Sequence, residues 1–451
     1  MILNIVIGLA GLGIVVFVHE LGHLIAAKLV GIDVEVFSLG WGRRLAGFSY
    51  KGTEYQVSVF PIGGFCKMRG EESLRTAWQE EAEEIPREPG SFFGASPLQR
   101  IFVAIAGPAV NLLFAVVAFA IMWGLGFSIE TFPNRIVLAS EYSEGPFPAD
   151  DAGLRSGDVI VEIDNEEIVS FRDIQQTVAR APDEQLNLTV RRDGRELTAT
   201  LEPKLNPQTG AGQIGVYPWV EPVVGHVEES SSADAAGLRP GDRILSVNGR
   251  EIRHSLAFME FVGDTSDPVN VTVSRDGTRV ETTLVPGVDP ESGLPDVGIA
   301  FAPMVIETPD YGPLQAVGRG ISETVDTLVL SVRSIGLLFR GVDVTQAVAG
   351  PLRITYIVGE VATSGLETGL GEAVRSFFSF LSVLSVALFI MNLLPIPVLD
   401  GGQILLYTIE GIGGRPLRPK IVYRYQMVGT VIVLALIVLA FLGDVLFLAQ
   451  R

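Results

Sequence analysis

A chain of 451 residues that is 48% apolar, with a mean hydropathy of +0.38, belongs with membrane proteins rather than ordinary soluble ones and has room for several domains. Its net charge of −19 is concentrated: residues 128–310 hold 14 Lys and Arg against 32 Asp and Glu, which argues against a nucleic-acid binder because nothing there neutralises phosphates. Cys66 is the only cysteine, so an intramolecular disulfide and a thiolate cluster are excluded, and any metal must be held by His and carboxylate.

The first predicted element, 1–30, is almost wholly apolar and long enough to cross a hydrocarbon core of about 30 Å. It lacks the basic start and small-residue cleavage site of a signal peptide, so it is expected to be retained. Inside it lies His19-Glu20-Leu21-Gly22-His23, an H-E-x-x-H motif. On a helix, positions i and i+4 share a face, so both imidazoles can close on one Zn²⁺ while Glu20 projects beside the metal to take a proton from water. A titratable group at bilayer depth costs about 2.5–3.5 kcal/mol on insertion scales, so three within five residues call for an offsetting partner such as a metal ion.

Residues 31–100 read as two pieces. The stretch 34–68 alternates like strands and carries Gly40, Gly42, Gly63 and Gly64, which predicts a β-hairpin region dipping into the membrane, with an open edge that meets a substrate strand. The plain alternative is a small surface sheet. The stretch 71–89 is acidic and expected to be mobile. The second span, 101–127, contains no charged residue.

An internal repeat follows: Ala152-Gly153-Leu154-Arg155-Ser156-Gly157-Asp158 recurs 84 residues later as Ala236-Gly237-Leu238-Arg239-Pro240-Gly241-Asp242. Arg192-Asp193-Gly194 pairs likewise with Arg275-Asp276-Gly277, each predicting a turn between strands. Two domains are expected, 128–219 and 220–310. His226 and His254 have no neighbours at ligand spacing and read as surface or packing residues.

In the segment 311–374, Leu314, Val317, Ile321, Val325, Leu328, Val332, Ile335 and Phe339 form one helical face, with Arg319, Glu323, Asp326 and Arg333 off it. The helix is expected at the membrane surface or against the second repeat. The third span, 375–402, is apolar and uncharged over 377–399 and stops at Asp400, after Pro395 and Pro397. The loop 403–424 holds Arg415, Arg418, Lys420 and Arg424 against Glu410, which predicts a cytoplasmic side. A fourth span covers 425–448. Both termini and the repeats then lie on the opposite, extracytoplasmic side.

Catalytic zinc usually takes three protein ligands. No third histidine lies in any span, which leaves a carboxylate near the membrane. By itself Leu399-Asp400-Gly401-Gly402 reads as a cap or turn, but the first and third spans run the same way and their motifs reach a similar depth, in the cytoplasmic half. That match makes Asp400 the candidate third ligand.

The A-G-L-x-x-G-D repeats resemble the bacterial, circularly permuted PDZ domain. Together with H-E-x-x-H, with Asn392-Leu393-Leu394-Pro395-Ile396-Pro397-Val398-Leu399-Asp400-Gly401, with Pro61 to Met68 and with Gly107-Pro108-x-x-Asn111, they make the chain similar to the site-2 intramembrane zinc metalloproteases. The resemblance covers nearly the whole chain. It implies a polytopic α-helical membrane protein of four transmembrane helices, with a membrane-associated β-hairpin region and two inserted α+β PDZ-like domains. It also implies His19, His23 and Asp400 as Zn²⁺ ligands, Glu20 as general base, and Asn392, Gly63, Gly64 and Pro397 as the substrate-binding positions. Ala387 stands where some members have a second asparagine, and Gln403 where a histidine often follows.

The implied partners are the lipid bilayer of a bacterial inner membrane and single-pass transmembrane substrates already trimmed by another protease, such as anti-sigma factors, or remnant signal peptides. Peptide C-termini at the PDZ-like domains are a further expected partner, and nucleic acid is not. A catalytically inactive PDZ scaffold of the membrane is the alternative, weakened by Glu20 between the histidines. A metal transporter would need polar groups through several spans, and 101–127, 377–399 and 425–442 carry no charge.

Overall fold

The computed structural model describes residues 2–206, 210–263, 265, 267–288, 295–308, 311–338, 353–357, 359–360 and 370–449. The chain divides into two compact units, Met1–Phe127 with Pro309–Arg451, and Ser128–Thr308.

Among the described residues of the first unit, four helices are long and apolar enough to cross a membrane: Val6–Leu29, Pro97–Gly124, Ala373–Leu393 and Pro419–Phe441. The second of these starts on a capping box, in which Ser96 accepts from the Gln99 amide and Gln99 returns a bond to the Ser96 amide, with Pro97 at the first helical position. Small residues bring the helices together. A Cβ on Gly22 of the first helix would lie 2.5 Å from the Ala106 carbonyl oxygen, so the two backbones touch.

The stretch 34–68 forms two long strands, Val34–Tyr50 and Thr53–Met68, joined by Lys51 and Gly52, both at positive φ as a two-residue hairpin turn requires. They curl. Residues 34–39 have 64–68 on one side (Phe37 opposite Cys66, Leu39 opposite Gly64) and 54–57 on the other (Phe37 opposite Tyr55, Leu39 opposite Val57). Among the described residues, no strand covers the outer edge of 64–68. Val34, Phe37 and Met68 pack with Leu24, Ala27 and Ile32 in one core, whereas Trp41, Leu45, Phe48 and Phe60 in the outer half are exposed.

Three expectations need correction. The acidic stretch is not a featureless loop: Glu72–Gln79 is a helix that buries Leu74 and Ala77 and stacks Trp78 on Tyr423 at 4.0 Å. The third span ends at Leu393, and Asp400 opens a separate helix, Asp400–Gly413, in the stretch read as loop. The two prolines account for the break, since neither can continue the helix and each disfavours helical backbone in the residue before it. Lastly, Pro313–Leu338 lies against the second span, where a Cβ on Gly320 would sit 2.6 Å from the Val116 carbonyl oxygen. Small residues at this contact permit the close approach, while Val317, Ile321 and Val325 stay exposed. Phe339, on the same predicted stripe, and 339–352 lie outside the described residues.

In the second unit each repeat holds a four-stranded sheet, one longer helix and a four-residue helix (Pro148–Asp151, Ser232–Ala235) just before A-G-L. The first orders Glu166–Glu167, Val159–Ile163, Leu186–Arg192, Arg195–Leu201, with helix Phe171–Arg180; the second orders Arg250–Glu251, Arg243–Val247, Val269–Arg275, Thr278–Leu284, with helix Ser255–Gly263. The entering strand Ser128–Thr131 pairs antiparallel with the departing strand Met304–Glu307, so the insertion leaves where it enters.

The repeated motif has a physical reason. Asp158 and Asp242 are buried, and each is gripped twice by the arginine that opens the R-D-G turn: Arg192 at 2.7 and 2.6 Å, Arg275 at 2.7 and 2.7 Å. The same arginines reach the Gly153 and Gly237 carbonyls, both at 2.8 Å. Sequence positions 34 and 33 residues apart are thereby locked together. Arg275 holds the Asp242 carboxyl below its ordinary value. A depressed carboxyl contributes stability that is present above the unfolded pKa of about 3.9 and lost as pH falls through the folded pKa. Asp242→Ala is therefore expected to cost about 2 kcal/mol in thermal or denaturant unfolding at pH 7, with the gap from wild type closing below about pH 4. A gap that persists undiminished under acid conditions assigns the loss to packing instead.

His254 packs at 4.7 Å on Trp219, accepts from the Ala257 amide at 3.3 Å, and has its pKa pushed down by burial, as suits a neutral packing histidine. His226 is exposed on Val224–Val227.

Candidate metal centre

His19 and His23 sit one turn apart in the C-terminal half of the first helix, Ile2–Leu29, and both are buried. Asp400, the first residue of its helix, meets them. His19 Nε2 and His23 Nε2 are 3.2 Å apart, His19 Nε2 lies 3.3 Å from Asp400 Oδ2, and His23 Nε2 lies 3.5 Å from Asp400 Oδ1. Ligands placed tetrahedrally about 2.0 Å from a Zn²⁺ stand about 3.3 Å from one another, so each of these separations is close to an edge of a zinc tetrahedron, the two imidazoles meeting different oxygens of Asp400. Asp400 Oδ2 is buried without a hydrogen-bond partner, an expensive state that a cation relieves. Among the described residues, these three form the one group of His, Cys, Asp and Glu able to hold a metal.

The backbone around Asp400 is built tightly. Val398 has φ +87°, which a β-branched residue adopts only under constraint. A Cβ on Gly401 would lie 2.2 Å from the Leu393 oxygen, and one on Gly402 2.2 Å from the Ile396 oxygen, so both glycines let the new helix press on the broken end of the third span. From the other side, Tyr425 donates to the Gly402 carbonyl at 2.9 Å, and Gly429 takes the Pro397 carbonyl against its backbone. At the far end of the same helix, the buried Glu410 accepts from Arg100 at 2.7 Å and Arg87 at 3.1 Å. The helix carrying Asp400 is thus fixed to the start of the second span.

The hairpin supplies a second wall. A Cβ on Gly64 would sit 3.2 Å from Glu20 Cγ, so the backbone of 64–68 borders the Glu20 side chain. Gly63, at φ +90°, faces the Trp41 indole. Asn392 is half-buried near the end of the third span, and its side chain makes no hydrogen bond among the described residues. Pro397, also half-buried, lies in the break between helices. The structure therefore brings His19, Glu20, His23, Asp400 and Gly64 together and sets Gly63, Asn392 and Pro397 in the segments next to them.

Sequence reasoning quoted Gly107 and Asn111 as motif letters without giving them work. In the structure a Cβ on Gly107 would sit 2.4 Å from His23 Nε2 and 2.9 Å from His19 Cε1, and Asn111 is fully buried against His19. Val103, never singled out, offers its carbonyl to His23 Nδ1 at 2.8 Å. A polar residue in an otherwise apolar span was the available signal for Asn111; nothing in the sequence marks a backbone carbonyl.

Two histidines and an aspartate converging among helices of membrane length, with a carboxylate beside them, define a membrane-embedded metallopeptidase. The comparisons agree: the family model for peptidase family M50 matches residues 7–436, and the chain belongs to this family, the site-2 zinc metalloproteases. A Treponema pallidum (strain Nichols) relative bearing a zinc-metalloprotease name is 39% identical over 448 residues, 99% of each chain. The regulator of sigma-E protease RseP of Escherichia coli (strain K12) is 30% identical over 458 residues, and protease RseP of Yersinia pestis is 31% identical over 457, with 97% of both chains covered in each case. Among solved structures, the PDZ domain of an SdrC-like protein from Listeria monocytogenes covers 19% of this chain and 90% of its own at 18% identity, with a TM-score of 0.17 that carries no argument.

Proposed function

We propose that this protein hydrolyses peptide bonds within the transmembrane segments of single-pass membrane proteins, with His19, His23 and Asp400 holding zinc and Glu20 as general base. The observation that carries the reading is the set of three separations, 3.2, 3.3 and 3.5 Å, that bring His19, His23 and Asp400 together beside membrane-length helices. Zinc supplies Lewis acidity to the site when bound. Glu20, bordered by the backbone at Gly64, takes the proton of the attacking water and returns it to the leaving amine.

A helical substrate hides its carbonyls in its own hydrogen bonds, so it must unwind before attack. The uncovered edge of 64–68, beside Glu20, would take the freed backbone as an added strand at Gly63 and Gly64. Asn392, with an unengaged side-chain amide, and Pro397 at the helix break would meet the same extended segment.

Substrates of the anti-sigma-factor type, already shortened outside, and remnant signal peptides fit this site, and the role belongs to an envelope stress response. The PDZ-like repeats would then exclude intact ectodomains by size or take new C-termini. Arg415, Arg418, Lys420 and Arg424 support a cytoplasmic loop in an inner membrane, with termini and repeats outside and the site in the cytoplasmic half.

The test is incubation of the purified protein in detergent with a panel of single-pass transmembrane segments. Wild type is expected to cleave a subset and to hold zinc at one equivalent per chain. Asp400→Asn is expected to weaken zinc at least tenfold and lose cleavage with it. Full zinc occupancy in Asp400→Asn, with an unchanged coordination shell by X-ray absorption, would remove Asp400 from the ligand set.

A further inference from the structure

The second span supports both histidines. His23 donates from Nδ1 to the Val103 carbonyl at 2.8 Å, which leaves the lone pair on Nε2 for a cation. On His19 the corresponding nitrogen, Nδ1, lies 3.2 Å from Asn111 Nδ2. Asn111 is wholly buried two turns beyond Val103 on the same helix, and its Oδ1 has no partner. A carboxamide can be turned by 180° with almost no change of shape, and only one of its two orientations suits a metal. With Nδ2 towards His19, the imidazole accepts at Nδ1 and carries its proton on Nε2, against His23 Nε2 and Asp400 Oδ2. With Oδ1 towards His19, the imidazole donates from Nδ1 and its Nε2 lone pair points at the ion.

We propose that Asn111 is a positioning residue for the metal: its Oδ1 accepts from His19 Nδ1–H and thereby fixes which nitrogen of His19 is free to bind zinc. One helix then sets the orientation of both imidazoles, the Val103 carbonyl acting on His23 and Asn111 on His19. Gly107, midway between them, keeps the space in which the rings stand. Partners of this kind orient a ligating imidazole, raise its basicity, and typically change metal affinity by about 10–100-fold when lost. The inference rests on the zinc reading above.

Its test is zinc affinity by chelator competition on the purified full-length protein, with the visible spectrum of the Co²⁺-substituted form as a second readout. Asn111→Leu removes the acceptor and puts an apolar side chain in an apolar span, whereas Asn111→Asp keeps an acceptor and adds a buried carboxylate. If Asn111 only fills space between helices, Leu is the milder change and Asp the harmful one. The proposal expects the reverse: Asn111→Leu weakens zinc about 10–100-fold and alters the Co²⁺ bands, while Asn111→Asp holds zinc within a few-fold of wild type with similar bands. Should Asn111→Leu fail to fold, the Asp variant still decides, because its loss of zinc refutes the proposal. Equal zinc affinity in wild type and Asn111→Leu overturns the role of Asn111 alone, whereas a wild type that takes up no zinc overturns the zinc reading and this inference with it.

Discussion

Glu20→Gln is expected to abolish cleavage while leaving zinc content and thermal stability at wild-type levels. The amide keeps the length and shape of the side chain, so its contact with Gly64 and the wall formed by the hairpin are undisturbed. What it loses is the ability to take up and return a proton. General acid–base catalysis contributes about 10²–10⁴-fold, and here one group serves both the attack of water and the departure of the amine, so a loss at or beyond the upper end is expected. Single-turnover cleavage of a transmembrane substrate, with metal analysis on the same sample, checks it. Wild-type turnover in the Gln variant would sink the base assignment, and loss of zinc would show that Glu20 helps to hold the ion.

Gly107→Ala should also be damaging, though less so, for a steric reason. The added methyl would lie 2.4 Å from His23 Nε2, 2.6 Å from His23 Cε1 and 2.9 Å from His19 Cε1. Neither ring can retreat without changing the 3.2–3.5 Å separations to its partner ring and Asp400, and moving the second helix away would give up the close packing of Gly22 on Ala106 and Gly107. Overpacking of this sort costs about 1–3 kcal/mol, most of it expected as metal affinity because the clash falls on the ligand atoms. Zinc affinity should drop about tenfold or more, with cleavage falling in step. Gly13→Ala in the first helix is the control: a Cβ there meets nothing within 4 Å, and alanine favours a helix over glycine by about 1 kcal/mol, so it should be neutral or slightly stabilising. Equal zinc affinity in Gly107→Ala and wild type would show that the rings have freedom the geometry does not suggest.

The two results probe different parts of one centre. Glu20 belongs to the first helix and leans on the hairpin, whereas Gly107 belongs to the second span and shapes the space around the ligands. Asp400 comes from a third place, a helix anchored through Glu410 to Arg87 and Arg100 and through Gly402 to Tyr425. The centre therefore depends on helix packing as much as on its ligands.

The local chemistry was legible in the sequence. H-E-x-x-H at helical spacing in an apolar segment named the two imidazoles and Glu20, because i and i+4 coincide on any helix. The paired A-G-L-x-x-G-D and R-D-G motifs marked the two repeats, because each Asp–Arg grip needs both halves. Asp400 could be proposed from depth along the chain, but its place could not: the third span stops at Leu393, and the ligand arrives as the first residue of another helix. Periodicity does not reveal how a broken helix is packed against its neighbours. The helix within the acidic stretch and the docking of Pro313–Leu338 on the second span were hidden for the same reason, since Trp78 on Tyr423 and Gly320 on Val116 are contacts across long sequence distances. So were the Val103 carbonyl and the empty space at Gly107, because a backbone acceptor and a missing methyl carry no letter of their own. The residue types determined which groups could bind and move protons; the tertiary structure decided which lone pairs face one another, because that depends on backbones brought within van der Waals contact by side chains that are not there.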